Sequence, residues 1–157
     1  MSQKIKCKKE NEKMKNNKGF SLVELIIVIA IMAILVGVMA PQLIKYIEKT
    51  NVSSDTQLAD TVKSAFTTAM LDPAVINADD YTFPSGGDLS TAVSSGGATF
   101  QAAVEETLGC TAAECVGKLK SKDASGIEIE IVNSNTIKVT VTGSHADGKD
   151  GDPIVVQ

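Results

Sequence analysis

From Phe20 to Ala40 the chain runs through 21 residues rich in Ile, Val, Leu, Met and Ala, and from Leu25 to Ala40 none is charged. A helix over such a run, at about 1.5 Å per residue, spans roughly 30 Å, the thickness of a bilayer's hydrocarbon core. Downstream the pattern turns one-sided. Ile44, Ile47, Leu58, Val62, Ala65, Phe66, Ala69 and Met70 recur mostly three or four residues apart, leaving Lys45, Glu48, Lys49, Asp55 and Lys63 for the opposite face. That spacing predicts an amphipathic helix. Asp72-Pro73 closes it, because a residue before proline is pushed out of helical angles. One helix is therefore predicted from Phe20 to about Leu71. Its weak place lies at Gly37, which lowers helix propensity, and Pro41, which removes a helical hydrogen bond, so a break or soft point is expected there.

Beyond Pro73 the composition shifts. The stretch PSGGDLSTAVSSGGAT, Pro84 to Thr99, is dominated by Gly, Ser and Thr and predicts a surface connection. Thr99 stands where an N-cap belongs for a short helix carrying Phe100, Ala103, Val104 and Leu108, with Gly109 as its stop. Ile127, Ile129 and Ile131 alternate with Glu128 and Glu130, and Ile137, Val139 and Val141 alternate with Lys138 and Thr140. With a turn at Asn133-Ser134-Asn135 these form a hairpin with one buried face, and Pro153 to Val156 adds a last short strand. The expected fold is α+β: a long N-terminal helix, first anchor and then spine, packed on a small antiparallel sheet. Three parts follow: a leader at 1–19, a membrane or assembly helix at 20–41, and a soluble head at 42–157.

Charge sharpens this division. The first 19 residues hold seven lysines against Glu10 and Glu12, a net of +5, whereas the remaining 138 hold eight lysines and 17 acids, a net of −9. An acidic body without arginine is a poor match for nucleic acid, which needs clustered cations. A basic segment ahead of an apolar run is instead a topological signal that keeps the leader in the cytoplasm. Catalysis has no support: His145 is the sole histidine, and no nucleophile motif or phosphate-binding glycine pattern is present.

Cys110 and Cys115, with four residues between them, read as a small-loop disulfide in an exported protein. The alternative is a reduced pair packed under a helix. A zinc site is disfavoured by the single histidine and the lack of a second cysteine pair. In HADGKDGDP, Asp147, Asp150 and Asp152 share a glycine-containing loop beside His145. Calcium takes several oxygens on such a loop, but the spacing is not that of an EF-hand and a solvated acidic turn is commoner. No cofactor is otherwise expected.

Three readings fit the leader and apolar run. A secretory signal peptide would be cut after Val38-Met39-Ala40, but the apolar run is too long for it, Glu24 intrudes, and the cut would leave Pro41 on its far side. An uncleaved anchor tolerates Glu24 without requiring it. In the third, Lys18-Gly19-Phe20-Ser21-Leu22-Val23-Glu24-Leu25 and the apolar run up to Pro41 resemble the N-terminus of type IV pilins and pseudopilins. The leader of 19 residues is longer than in the commonest pilins whose mature chain begins with phenylalanine.

The resemblance implies cleavage between Gly19 and Phe20 by a prepilin peptidase, N-methylation of Phe20, and pairing of Glu24 with the Phe20 amine of a neighbouring subunit. It further implies a homo-oligomeric helical filament built by an inner-membrane assembly platform and its ATPase. The precursor would sit in the membrane as a single pass and the product on the cell surface, serving adhesion, motility or DNA uptake. A pseudopilin of a secretion or competence system is the alternative within the family. Major pseudopilins of type II secretion hold calcium in a C-terminal loop, which is why the Asp147 cluster is noted.

Overall fold

The computed structural model of the chain describes residues 19–133, 136–143 and 154–157. It divides into two compact units, Met1–Met39 and Ala40–Gln157. Helix α1, Leu22–Leu71, is 50 residues long and includes Pro41. At Gly37 and Pro41, where a kink or soft point was expected, the chain is helical. A proline ring in a helix crowds the carbonyl four residues earlier and leaves it without a donor. Here that carbonyl belongs to a glycine, whose backbone is the least constrained of any residue.

In the first unit every residue from Gly19 to Met39 is exposed. In the second, α1 buries Val52, Asp55, Ala59, Val62, Ala65, Phe66, Ala69 and Met70. The expected face thus holds from Leu58, half-buried against the core, onward, and fails before it. Ile44 and Ile47 are 69% and 53% exposed, and the acid Asp55, assigned by periodicity to the polar face, is fully buried. At Leu71 the helix stops because Asp72 is extended (φ −73°, ψ 118°); its side chain then caps α2, Pro73–Ile76, which carries proline in its first turn.

Strand β1, Gly87–Asp88, and helix α3, Leu89–Ser95, occupy the stretch expected to be a plain connection. The correction has a clear cause. Leu89, Ala92 and Val93 are buried in the core at helical spacing, and the Asp88 carboxylate accepts the Thr91 N–H as an N-cap. Helix α4, Ala98–Leu108, starts two residues earlier than expected, with Gly97 and not Thr99 at its N-cap and Gly109 (φ 65°) as its left-handed stop. The cap oxygen comes instead from outside the helix: Asp80 accepts from the Thr99 N–H at 2.8 Å and its hydroxyl at 2.7 Å. Gly97 (φ 94°) permits this approach, since a Cβ there would stand 2.2 Å from the Asp80 carbonyl oxygen. A further helix, α5, Ala112–Gly117, has a full capping box between Thr111 and Glu114.

The sheet is antiparallel in the order β1-β2-β3-β4, with β2 at Gly126–Asn133, β3 at Thr136–Thr142 and β4 at Ile154–Val156. Ile127 faces Val141 and Ile129 faces Val139, so the apolar alternation of both strands falls on one side as expected. Val139 and Val141 pair onward with Val156 and Ile154. That face shares one core with the C-terminal half of α1 and with Phe100 and Val104 of α4. Phe66 and Phe100 meet edge to face at 5.5 Å, the arrangement the ring quadrupoles favour. The fold is a long N-terminal helix packed on a small four-stranded antiparallel sheet. Residues 134–135 of the hairpin turn and Pro153 lie outside the described residues.

Candidate assembly and anchoring site

Two groups of residues merit functional attention, one in each unit. In the first, the Ser21 carbonyl accepts the Leu25 N–H at 3.2 Å, and the Ser21 N–H donates to Glu24 Oε2 at 2.8 Å. Glu24 therefore reaches back over the first turn of α1, as the carboxylate of a capping box does. Its charge also lies where the helix dipole favours an anion. Phe20, just ahead of this turn, is 87% exposed, and Gly19 beside it is exposed too. Past Glu24, α1 is the helix among the described residues that is long and apolar enough to cross a membrane.

This geometry places a candidate scissile bond, Gly19–Phe20, on accessible chain just before a helix whose apolar residues up to Met39 are all exposed. The family described as "Prokaryotic N-terminal methylation motif" matches residues 14–40. The chain carries the class III signal motif of type IV pilins. The motif supports a type IV pilin or pseudopilin-like protein. Apolar helix and motif together fit a membrane-anchored precursor. No solved structure matches the chain.

In the second unit the decisive residue is one that periodicity misassigned. Asp55 is fully buried. Its Oδ1 accepts the Lys120 N–H at 2.9 Å and its Oδ2 the Ser121 N–H at 2.8 Å, with the Ser121 hydroxyl also donating to Oδ2. Two turns earlier on α1, Glu48 Oε1 accepts the Lys122 N–H at 2.9 Å. Two carboxylates of α1 thus hold three consecutive backbone N–H groups of the loop between α5 and β2, which satisfies a buried charge without a cation. A signal for this was present. Val52, Asp55, Ala59, Val62, Phe66 and Ala69 follow alternating steps of three and four, so Asp55 occupies a core position of an otherwise apolar stripe.

Cys110 and Cys115 are joined by a disulfide with Cα atoms 6.1 Å apart, and Cys115 is buried in the core. Closing a loop this short is worth about 2 kcal/mol. Cys110→Ser is therefore expected to lower stability by about that amount in a urea titration. An unchanged midpoint, or two alkylatable thiols in the exported protein, would contradict a stabilising bond.

Three exposed carboxylates lie below their ordinary range because helix N-termini donate to them. The Thr99 hydroxyl and then its N–H lower Asp80. The Thr91 hydroxyl and N–H lower Asp88, and the Thr111 N–H and hydroxyl lower Glu114. These are caps. Among the described residues no group of three or more His, Cys, Asp or Glu could hold a metal ion. The calcium candidates Asp147, Asp150 and Asp152, with His145, lie outside the described residues.

Proposed function

We propose that the chain is a prepilin, cut between Gly19 and Phe20 by a prepilin peptidase, N-methylated at Phe20, and polymerised into a type IV pilus filament. The observation that carries this reading is the match of residues 14–40 to the N-terminal methylation motif, joined to an apolar helix with no covering of its own. Such a helix has two ways to escape water, lipid or a bundle of its own kind. Storage in the membrane followed by assembly uses both in turn. The leader's excess of lysine holds the precursor with its N-terminus in the cytoplasm. An assembly platform and its ATPase then supply the work of extraction.

In the filament, Glu24 of each subunit accepts the Phe20 amine of its neighbour, and Gly37 with Pro41 is the segment that loosens as helices pack. The test is mechanical shearing of cells expressing the chain, followed by separation of cell-bound and sheared material. The expected result is long filaments composed of this chain in the sheared fraction. Short fibres confined to the envelope would point to a pseudopilin. Soluble monomer alone would contradict polymerisation.

A further inference from the structure

The inference rests on the membrane-held subunit proposed above and concerns the turns of α1 just past the apolar run. Gln42, Lys45, Tyr46 and Lys49 stand at i, i+3, i+4 and i+7, so they share one side of the helix. They line a shallow depression of about 210 Å³, and all four are exposed. Between Leu25 and Ser54 the single acid is Glu48, and its Oε1 is taken by the Lys122 N–H at 2.9 Å. The carboxylate nearest both lysines is thereby turned toward the head, and neither lysine is in an ion pair among the described residues. What remains is a face with two ammoniums, a carboxamide and a phenol, flanked by the exposed apolar residues Leu43, Ile44 and Ile47.

We propose that this face binds the phosphate groups of phospholipid headgroups in the membrane that stores the unassembled subunit. The run from Phe20 to Ala40 fills a hydrocarbon core of roughly 30 Å without help. The next two turns therefore fall in the headgroup layer. That depth suits tyrosine, whose ring is apolar and whose hydroxyl is wet, and lysine, whose stem lies along lipid while its ammonium reaches phosphate. Leu43, Ile44 and Ile47 cover the acyl boundary beside them. A second copy of this chain, acidic in its body, is the competing occupant, but only lipid is in reach at this depth before assembly begins.

The chain contains no tryptophan, so Tyr46→Trp in the full-length protein supplies a lone indole at the centre of the face. The variant is reconstituted in phosphatidylcholine vesicles, with and without phosphatidylglycerol, carrying a headgroup-attached quencher. Headgroup quenching is expected, and it should rise with phosphatidylglycerol. Adding Lys45→Gln and Lys49→Gln should cut the phosphatidylglycerol-dependent part at least about fivefold, the weight of one lysine at an anionic surface. Water-like emission with no quenching would overturn the proposal, as would quenching indifferent to the lysines. Quenching that follows protein-to-lipid ratio and ignores lipid charge would assign the face to a second copy. Failure of the chain to float with the vesicles would remove the membrane reading itself, and this inference with it.

Discussion

Glu24→Ala is expected to abolish filaments while leaving the precursor abundant and cut. Removing a carboxylate from an apolar helix eases insertion, since a charge in hydrocarbon is costly, though less near a helix end than at the bilayer centre. The Gly19–Phe20 junction is untouched. What the proposed pairing would lose is the attraction between the carboxylate and the Phe20 amine of an incoming subunit. Unit charges about 4 Å apart attract by about 4 kcal/mol at an effective dielectric of 20. The Ser21 N–H, 2.8 Å from Glu24 Oε2, keeps the carboxylate occupied in the lone subunit and reduces the net gain. A carboxylate accepts at both oxygens, however, so the cap and an amine can be held together. Even half the attraction changes recruitment more than tenfold. Glu24→Gln should fail in the same way, because it keeps the shape and the cap but not the charge. Each variant is compared by processed protein in the membrane and protein in the sheared fraction. A normal sheared yield from Glu24→Ala would reduce Glu24 to a helix cap.

The second large effect is expected at Asp55, and it concerns the head. Asp55→Ala leaves the Lys120 N–H, the Ser121 N–H and the Ser121 hydroxyl without the acceptor that Asp55 supplies. Losing a buried acceptor costs about 1–3 kcal/mol per bond, and two of these three bonds are buried, so a loss of about 2–4 kcal/mol is expected after relaxation. That is a large part of the stability of a domain this size. Asp55→Asn should recover only part of it, because its amide nitrogen replaces one acceptor oxygen and turns hydrogens toward a backbone N–H. Urea unfolding of the detergent-solubilised chain, followed by circular dichroism, gives the number. Hydrogen exchange at Lys120 and Ser121 localises it. A loss under about 1 kcal/mol, within the range of an ordinary surface change, would mean the loop is held by its other contacts.

Asp55 also marks the limit of what was legible in the sequence. Long-range pattern was readable: the extent of α1, its end at Asp72, and the alternation that pairs Ile127 with Val141 across the hairpin. Each rests on a local rule that tertiary packing reinforced. The errors came where tertiary packing supplied what the local chain lacked. Leu89, Ala92 and Val93 form a buried helix in a stretch whose Gly and Ser content suggests loop, because three well-spaced apolar residues suffice once a core is present. Thr99 is capped by Asp80, 19 residues away in sequence, a partner that no local cap rule finds. Ile44 and Ile47 continue the apolar period but have no head beside them. Of the proposed assembly site, the motif spanning residues 14–40 was legible because it is written in linear order.

The central claim is that Phe20 begins the working protein, and the most direct measurement is the N-terminal residue of the exported chain by mass spectrometry. The account predicts a chain starting at Phe20 with a methyl group on its amine. A start at Pro41 would establish an ordinary signal peptide, and a start at Met1 or Ser2 an uncleaved anchor; either would contradict it.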